Sequence, residues 1–250
     1  MIIYASILEI NSNQLLVLDH ATQQEIAVNL RCGCNFRIKD NVKIIYNGIM
    51  TMSIPPQISA QRITKINADS AIPYLAEYSR ILNNMINSMT SVETTDSISH
   101  NFIVQMIPHH RAAIEMSENV LKFTKNIELT EIAKSIISEQ TKSIENMQEI
   151  LNNCSNLNNS ECEVKTYQQN TFGIIQTMFA SMSNAYSNNC IDCNFIREMI
   201  PHHEGAVRMS ENTLRFNICP ELKPILNSII VSQCRGIRQM RSLAGRLRCK

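Results

Sequence analysis

The chain has no tryptophan and only six glycines in 250 residues. So few glycines leave no Gly-rich loop to cradle a phosphate, and no nucleophile with an adjacent base stands out. The sequence therefore does not read as an enzyme. No window reaches the about 18 consecutive apolar residues of a membrane span. The charges nearly cancel, 23 Lys and Arg against 22 Asp and Glu, so no bulk field recruits nucleic acid or an anionic membrane. One local basic run (Arg235, Arg238, Arg241, Arg246, Arg248, Lys250) reads as a solvated helix face. The opening residues, MIIYASILEINSNQ, lack a charged leader and a cleavage site, so a cytoplasmic protein is expected. Its nine cysteines form no paired framework and are expected to be mostly free thiols. Cys32-x-Cys34 and Cys190-x-x-Cys193 each lack the second pair that a structural zinc site needs.

What is present divides into two regions with different periods. Residues 2–10, 14–19, 25–30, 36–38 and 42–47 are short β-prone runs separated by turn signals, a pattern of small barrels and sandwiches. A Cys-Gly-Cys corner separates the third run from the fourth. Pro55 and Pro56 have no amide to donate, so residues 50–59 are excluded from a central strand. They are expected to wrap across the barrel edge before a last strand at 59–66. From about residue 72 the period becomes helical. The reading is thus an α+β chain, a small antiparallel β-barrel over 1–68 and a helical bundle over 69–250.

The bundle is doubled in sequence. NFIVQMIPHHRAAIEMSENVL starts at Asn101 and returns as NFIREMIPHHEGAVRMSENTL at Asn194, an offset of 93 residues. Fourteen of these 21 positions are identical, more alike than the flanking segments. The copies span about 73–153 and 166–248. At about 100° per residue, Phe102, Met106, His109, His110, Ala113, Met116 and Val120 share one helix face. Asp96 or Ser99 is the expected cap of this helix, with Asp192 in the equivalent place of the second copy. Pro108 and Pro201 fall inside their helices and are expected to kink them. A following helix carries Ile132, Ile136, Gln140, Ile144, Met147 and Leu151, repeated as Ile225, Ile229, Gln233, Ile237 and Met240. Pro220 is placed to begin the later of these. Two such hairpins make a four-helix bundle. Ahead of each lies a shorter helical segment with methionines four apart, Met85 and Met89, then Met178 and Met182. Residues 152–160, rich in Asn, link the copies.

Four of the six histidines sit in the two doubled pairs. Imidazole with thioether is a soft ligand set, which selects monovalent copper over magnesium, calcium or manganese. A methionine stripe alone is ordinarily core. Two adjacent imidazoles on an apolar face are costly unless each nitrogen finds a partner, about 1–3 kcal/mol per unsatisfied group. Gln140 and Gln233 on the facing stripes are candidate partners. Two readings stay open: a metal site, or hydrogen-bonded core histidines in a scaffold or regulatory protein. A di-iron carboxylate site is excluded, because no Glu-x-x-His occurs and Glu115 becomes Arg208 in the second copy. Zinc through Cys190, Cys193 and Cys234 has no counterpart in the first copy, where His100 and Thr141 stand for the last two.

The two MIPHH segments, each followed by a later Met, Ile-Ile-x-x-Gln and a further Met, resemble the domain of unknown function 305 family from about residue 73 to the C-terminus. The resemblance implies a ferritin-like four-helix bundle, and copper binding as in some cell-envelope members. Candidate metal ligands are then Met106, His109, His110, Met116 and Met147, with Met199, His202, His203, Met209 and Met240. Met85, Met89, Met178 and Met182 join them through the repeat. This chain has Asn101 and Asn194 where members often carry Asp. YNGIMTMSIPPQISA resembles part of an OB-like barrel attached to the family in some bacteria. With Tyr4, Phe36 and Tyr46 as its aromatics and no strong basic charge, it reads as a structural or partner-docking module rather than an oligonucleotide binder. The expected function is soft-metal storage, buffering or transfer, with a metal ion as partner and self-association left open.

Overall fold

Five strands close the N-terminal barrel: β1 (Ile2–Ile10), β2 (Gln14–Asp19), β3 (Glu25–Asn29), β4 (Asn41–Tyr46) and β5 (Gln57–Lys65). Their order around the barrel is β1-β2-β3-β5-β4. The structure is a computed structural model that describes residues 1–30 and 35–249. Cys32 and Cys34, with the corner expected there, lie outside the described residues, as does Lys250. Alternation dictates the barrel core. Ile3, Ala5 and Ile7 of β1 point inward with Leu15, Val17, Val28, Val42 and Ile44. All neighbouring strands are antiparallel except β3 and β5, which pair in parallel through Ala27 and Gln57. Pro56 leaves its carbonyl to accept from the Ala27 amide at 2.9 Å, so β5 starts as soon as the prolines end.

Residues 36–38, expected as a strand, are not one. Lys39 has φ 72°, a left-handed conformation that ends extended pairing. The Arg37 amide donates to the Asp40 carboxylate at 2.9 Å and closes a turn. Beyond this loop, the β4–β5 connection leaves Ile49, Met52 and Ile54 exposed.

Helices follow: α1 (Ile72–Thr90), α2 (Ile98–Leu121), α3 (Ile127–Cys154), α4 (Glu161–Asn184), α5 (Ile191–Thr213) and α6 (Leu222–Leu247). Two compact units result: Met1–Asn84 with Tyr186–Ile191, and Met85–Ala185 with Asp192–Lys250. The helices ahead of each hairpin are not short, at 19 residues in α1 and 24 in α4. Among the described residues, no helix is long and apolar enough to cross a membrane.

Local chemistry sets the helix ends. Ser97, not Asp96 or Ser99, caps α2, its Oγ accepting from the His100 amide at 3.3 Å. Ser99 is buried and accepts from the Cys219 amide instead. Asp192 is not a cap either and falls in the first turn of α5. Asn101 ties down the approach to α2, accepting from the Thr95 amide at 2.7 Å and donating to its carbonyl at 2.8 Å. Ser160 and Glu163 form a capping box at the start of α4. The linker between copies is therefore shorter than expected, because α3 continues to Cys154. Pro220 lies in the turn before α6, which begins at Leu222.

The expectation of mostly free thiols fails for four of the seven described cysteines: Cys154 bonds to Cys219 and Cys193 to Cys249, while Cys162, Cys190 and Cys234 form no disulfide. Sequence spacing hides both pairs, because each joins helix ends brought together only by folding.

Candidate metal centre

All fourteen candidate ligands, ten methionines and four histidines, are buried, none more than 3% exposed. The helical period puts Met106, His109, His110 and Met116 on the inner face of α2, and Met199, His202, His203 and Met209 on that of α5. Pro108 and Pro201 sit inside the same helices, each directly before its histidine pair.

The two helices bring the copies together through the histidines. His109 and His202 stack with ring centroids 3.6 Å apart and planes 29° from parallel. His109 Nε2 lies 3.2 Å from the His202 carbonyl, and His202 Nε2 lies 3.1 Å from the His109 carbonyl. A carbonyl only accepts, so both Nε2 atoms carry the proton. In a neutral ring that leaves Nδ1 with its lone pair. His110 and His203 flank the stack, 5.9 Å from His109 and 6.0 Å from His202. Nε2 of His110 meets the Ser143 hydroxyl of α3 at 3.0 Å.

The Nδ1 atoms of all four histidines are buried with no hydrogen-bond partner. Gln140 and Gln233 do not supply one, and their own Oε1 atoms are unpartnered too. The sequence expectation that these glutamines satisfy the imidazoles is thus corrected. Burial depresses every one of the four pKa values, because a charged ring would lose its hydration. His110 falls to about 3 and His202 to about 4. His109 and His203 lie well below the ordinary 6.5, by burial first and by repulsion from neighbouring rings second. The four buried imidazoles are therefore neutral at neutral pH.

Ser143 and its counterpart Gly236 escape the sequence reading. Ser143 lies three residues beyond Gln140 and four before Met147, so helical spacing could have marked it. A Cβ added at Gly236 would sit 3.0 Å from Cδ2 and 3.1 Å from Nε2 of His203, so that ring packs directly against α6 backbone. Gly205 is similarly close to Met178, whose sulfur would be 2.2 Å from an added Cβ.

The zinc alternative loses a ligand, because Cys193 is disulfide-bonded. Among the described residues, one group of three imidazole, thiol or carboxylate ligand atoms lies within 4.8 Å: Cys154, Cys219 and Glu221. Its two sulfurs are bonded to each other, so they are not thiolate ligands. Among the described residues, the four histidines do not bring three ring nitrogens within that distance of one another.

A helical bundle with paired histidines and methionines, following a closed barrel in the chain, is the class defined by fold and site. Residues 99–244 match the family described as Domain of unknown function (DUF305), and the chain belongs to that family. Solved structures similar to it include CopM in the Cu(I)-bound form, 27% identical, covering 62% of this chain and 99% of that one, TM-score 0.44. CopM in the Cu(II)-bound form is 31% identical over 59% and 97%, TM-score 0.41. A DUF305 fragment from Deinococcus radiodurans is 23% identical over 60% and 96%, TM-score 0.45. No curated protein matches the chain.

Proposed function

We propose that the helical unit binds copper(I) through the neutral Nδ1 atoms of its paired histidines and nearby thioethers, for storage, buffering or transfer. One observation carries this reading: four buried imidazole nitrogens without a partner, on helices whose methionines at 106, 116, 199 and 209 are buried as well. A purely structural histidine is ordinarily satisfied on both nitrogens. Here Nε2 of His109 and of His202 donates to a carbonyl, the outer arrangement that orients a metal-ligating imidazole and fixes its tautomer. The donor set is imidazole and thioether in both copies. The buried Glu198 has Gln105 as its counterpart, so no buried carboxylate is shared. That combination favours a soft monovalent ion.

Binding rather than catalysis is the role we infer. Both disulfides suit an oxidising setting, which moves our reading of the compartment away from the reducing cytoplasm. A thiol count on protein taken directly from cells tests that point.

The test of function is an anaerobic copper(I) titration against a chromophoric chelator. The wild type should withdraw copper from the chelator. A variant with His109, His110, His202 and His203 changed to alanine should not. Equal uptake by both sinks the proposal and leaves the scaffold reading. A thermal melt gives a second readout, since an ion that binds only the folded state raises its melting temperature.

A further inference from the structure

The two copies are not equivalent around their histidines, and the difference lies where the bundle opens. A groove of about 590 Å³ runs between α3 and α6. Ser138, Ser143 and Asn146 line one wall, and Asn227, Ser228 and Ser232 the other. Of the four paired histidines, His110 lines the groove and the other three do not. Glu139 and Arg235 cross it, with N–O 2.6 Å, and both side chains are at least 35% exposed. An exposed ion pair of this kind holds weakly and opens readily.

We propose that this groove is the port through which the ion enters, and that His110 receives it, so that the first copy's half of the centre loads ahead of the second's. The inference rests on the copper-binding reading above and adds a route and an order to it. Three features support it. First, beside the apolar Ile225, Ile229 and Val231 and the Lys142 ammonium, the polar groups of both walls are hydroxyls and amides, hard donors that bind a soft ion weakly and let it pass inward. Second, the Nε2 atoms of His109 and His202 are pinned to backbone carbonyls, whereas that of His110 meets a single rotatable hydroxyl on the groove wall. His110 is therefore freer than His109 or His202 to turn toward an arriving ion. Third, Gly236 replaces Ser143 in the second copy, and the His203 ring fills the space where a side chain would stand. An ion reaching that half passes the His109–His202 stack.

Anaerobic stopped-flow transfer of copper(I) from a chromophoric chelate tests the route. We expect two phases in the wild type. Ser228→Trp, at an exposed groove wall, should slow the fast phase at least tenfold and leave the copper bound at equilibrium unchanged. His110→Leu should abolish the fast phase, whereas His203→Leu should retain it. An unaltered fast phase in Ser228→Trp overturns the port, and loss of that phase in His203→Leu overturns the order. No uptake by the wild type overturns the binding reading itself and the port with it.

Discussion

His109 and His202 each donate a hydrogen bond to the other's backbone carbonyl and keep a bare nitrogen in the core. Metal-free stability should therefore depend on pH with a definite sign. The four rings are held below their ordinary 6.5 in the folded chain, His110 to about 3 and His202 to about 4, so the unfolded chain binds more protons as pH falls below 6.5. Stability is then full above pH about 6.5 and falls as pH drops below that value. Denaturant midpoints at pH 7.5, 6 and 5 check this, and a flat profile would contradict it. Methionine offers the complementary test. Met106→Leu with Met199→Leu preserves volume, so each should cost less than about 1.5 kcal/mol of stability. The same pair should weaken copper(I) binding at least tenfold, because leucine has no sulfur. The burial of the paired histidines and of the methionines beside them in sequence was legible because they recur at one offset on one helix face. Which nitrogen stays bare was not, because that depends on a carbonyl from the other copy.

Helix ends and helix crossings carry the next layer. The Ser97 side chain does two jobs, accepting from the His100 amide and donating to the Cys154 carbonyl at 3.0 Å. Ser97→Ala should destabilise by about 1–2 kcal/mol through loss of the cap, read from chemical unfolding. Gly205 lets Met178 lie against α5, whereas Ala112 stands at the equivalent place in α2. Gly205→Ala forces the buried Met178 to move, which should cost about 1–3 kcal/mol, partly offset by roughly 1 kcal/mol of helix propensity. A net gain in stability would show that the core gives way there. Strands β1 and β2 begin and end at the residues expected, since turn signals bound them closely. The segment at 36–38 looked extended by composition, but the turn closed by Asp40 overrode it. The capping box at Ser160 is written in the sequence as Ser-x-x-Glu, at the end of an Asn-rich stretch that masks it.

For the molecule as a whole, the cross-links are the largest departure from the sequence reading. Cys154–Cys219 and Cys193–Cys249 span 65 and 56 residues. Reduction should cost about 2–4 kcal/mol for each. Unfolding with and without reductant measures it, and identical midpoints would mean that the pairs contribute nothing. In the first copy, His100 occupies the position of Cys193 and meets the Ser155 hydroxyl at 2.9 Å. One copy thus joins the start of its histidine helix to the end of its last helix by a hydrogen bond, and the other does so by a covalent bond. The amino-acid sequence alone determined the two regions, the repeat of 93 residues, the buried face of each helix and the soft character of the donor set. Those follow from periodicity and side-chain chemistry, which are local. Tertiary structure alone decided the exchange of carbonyls between His109 and His202, the pairing of cysteines, the parallel closure of β3 on β5 and the groove at His110. Each of these joins residues far apart in the chain, and only packing brings such partners within bonding distance.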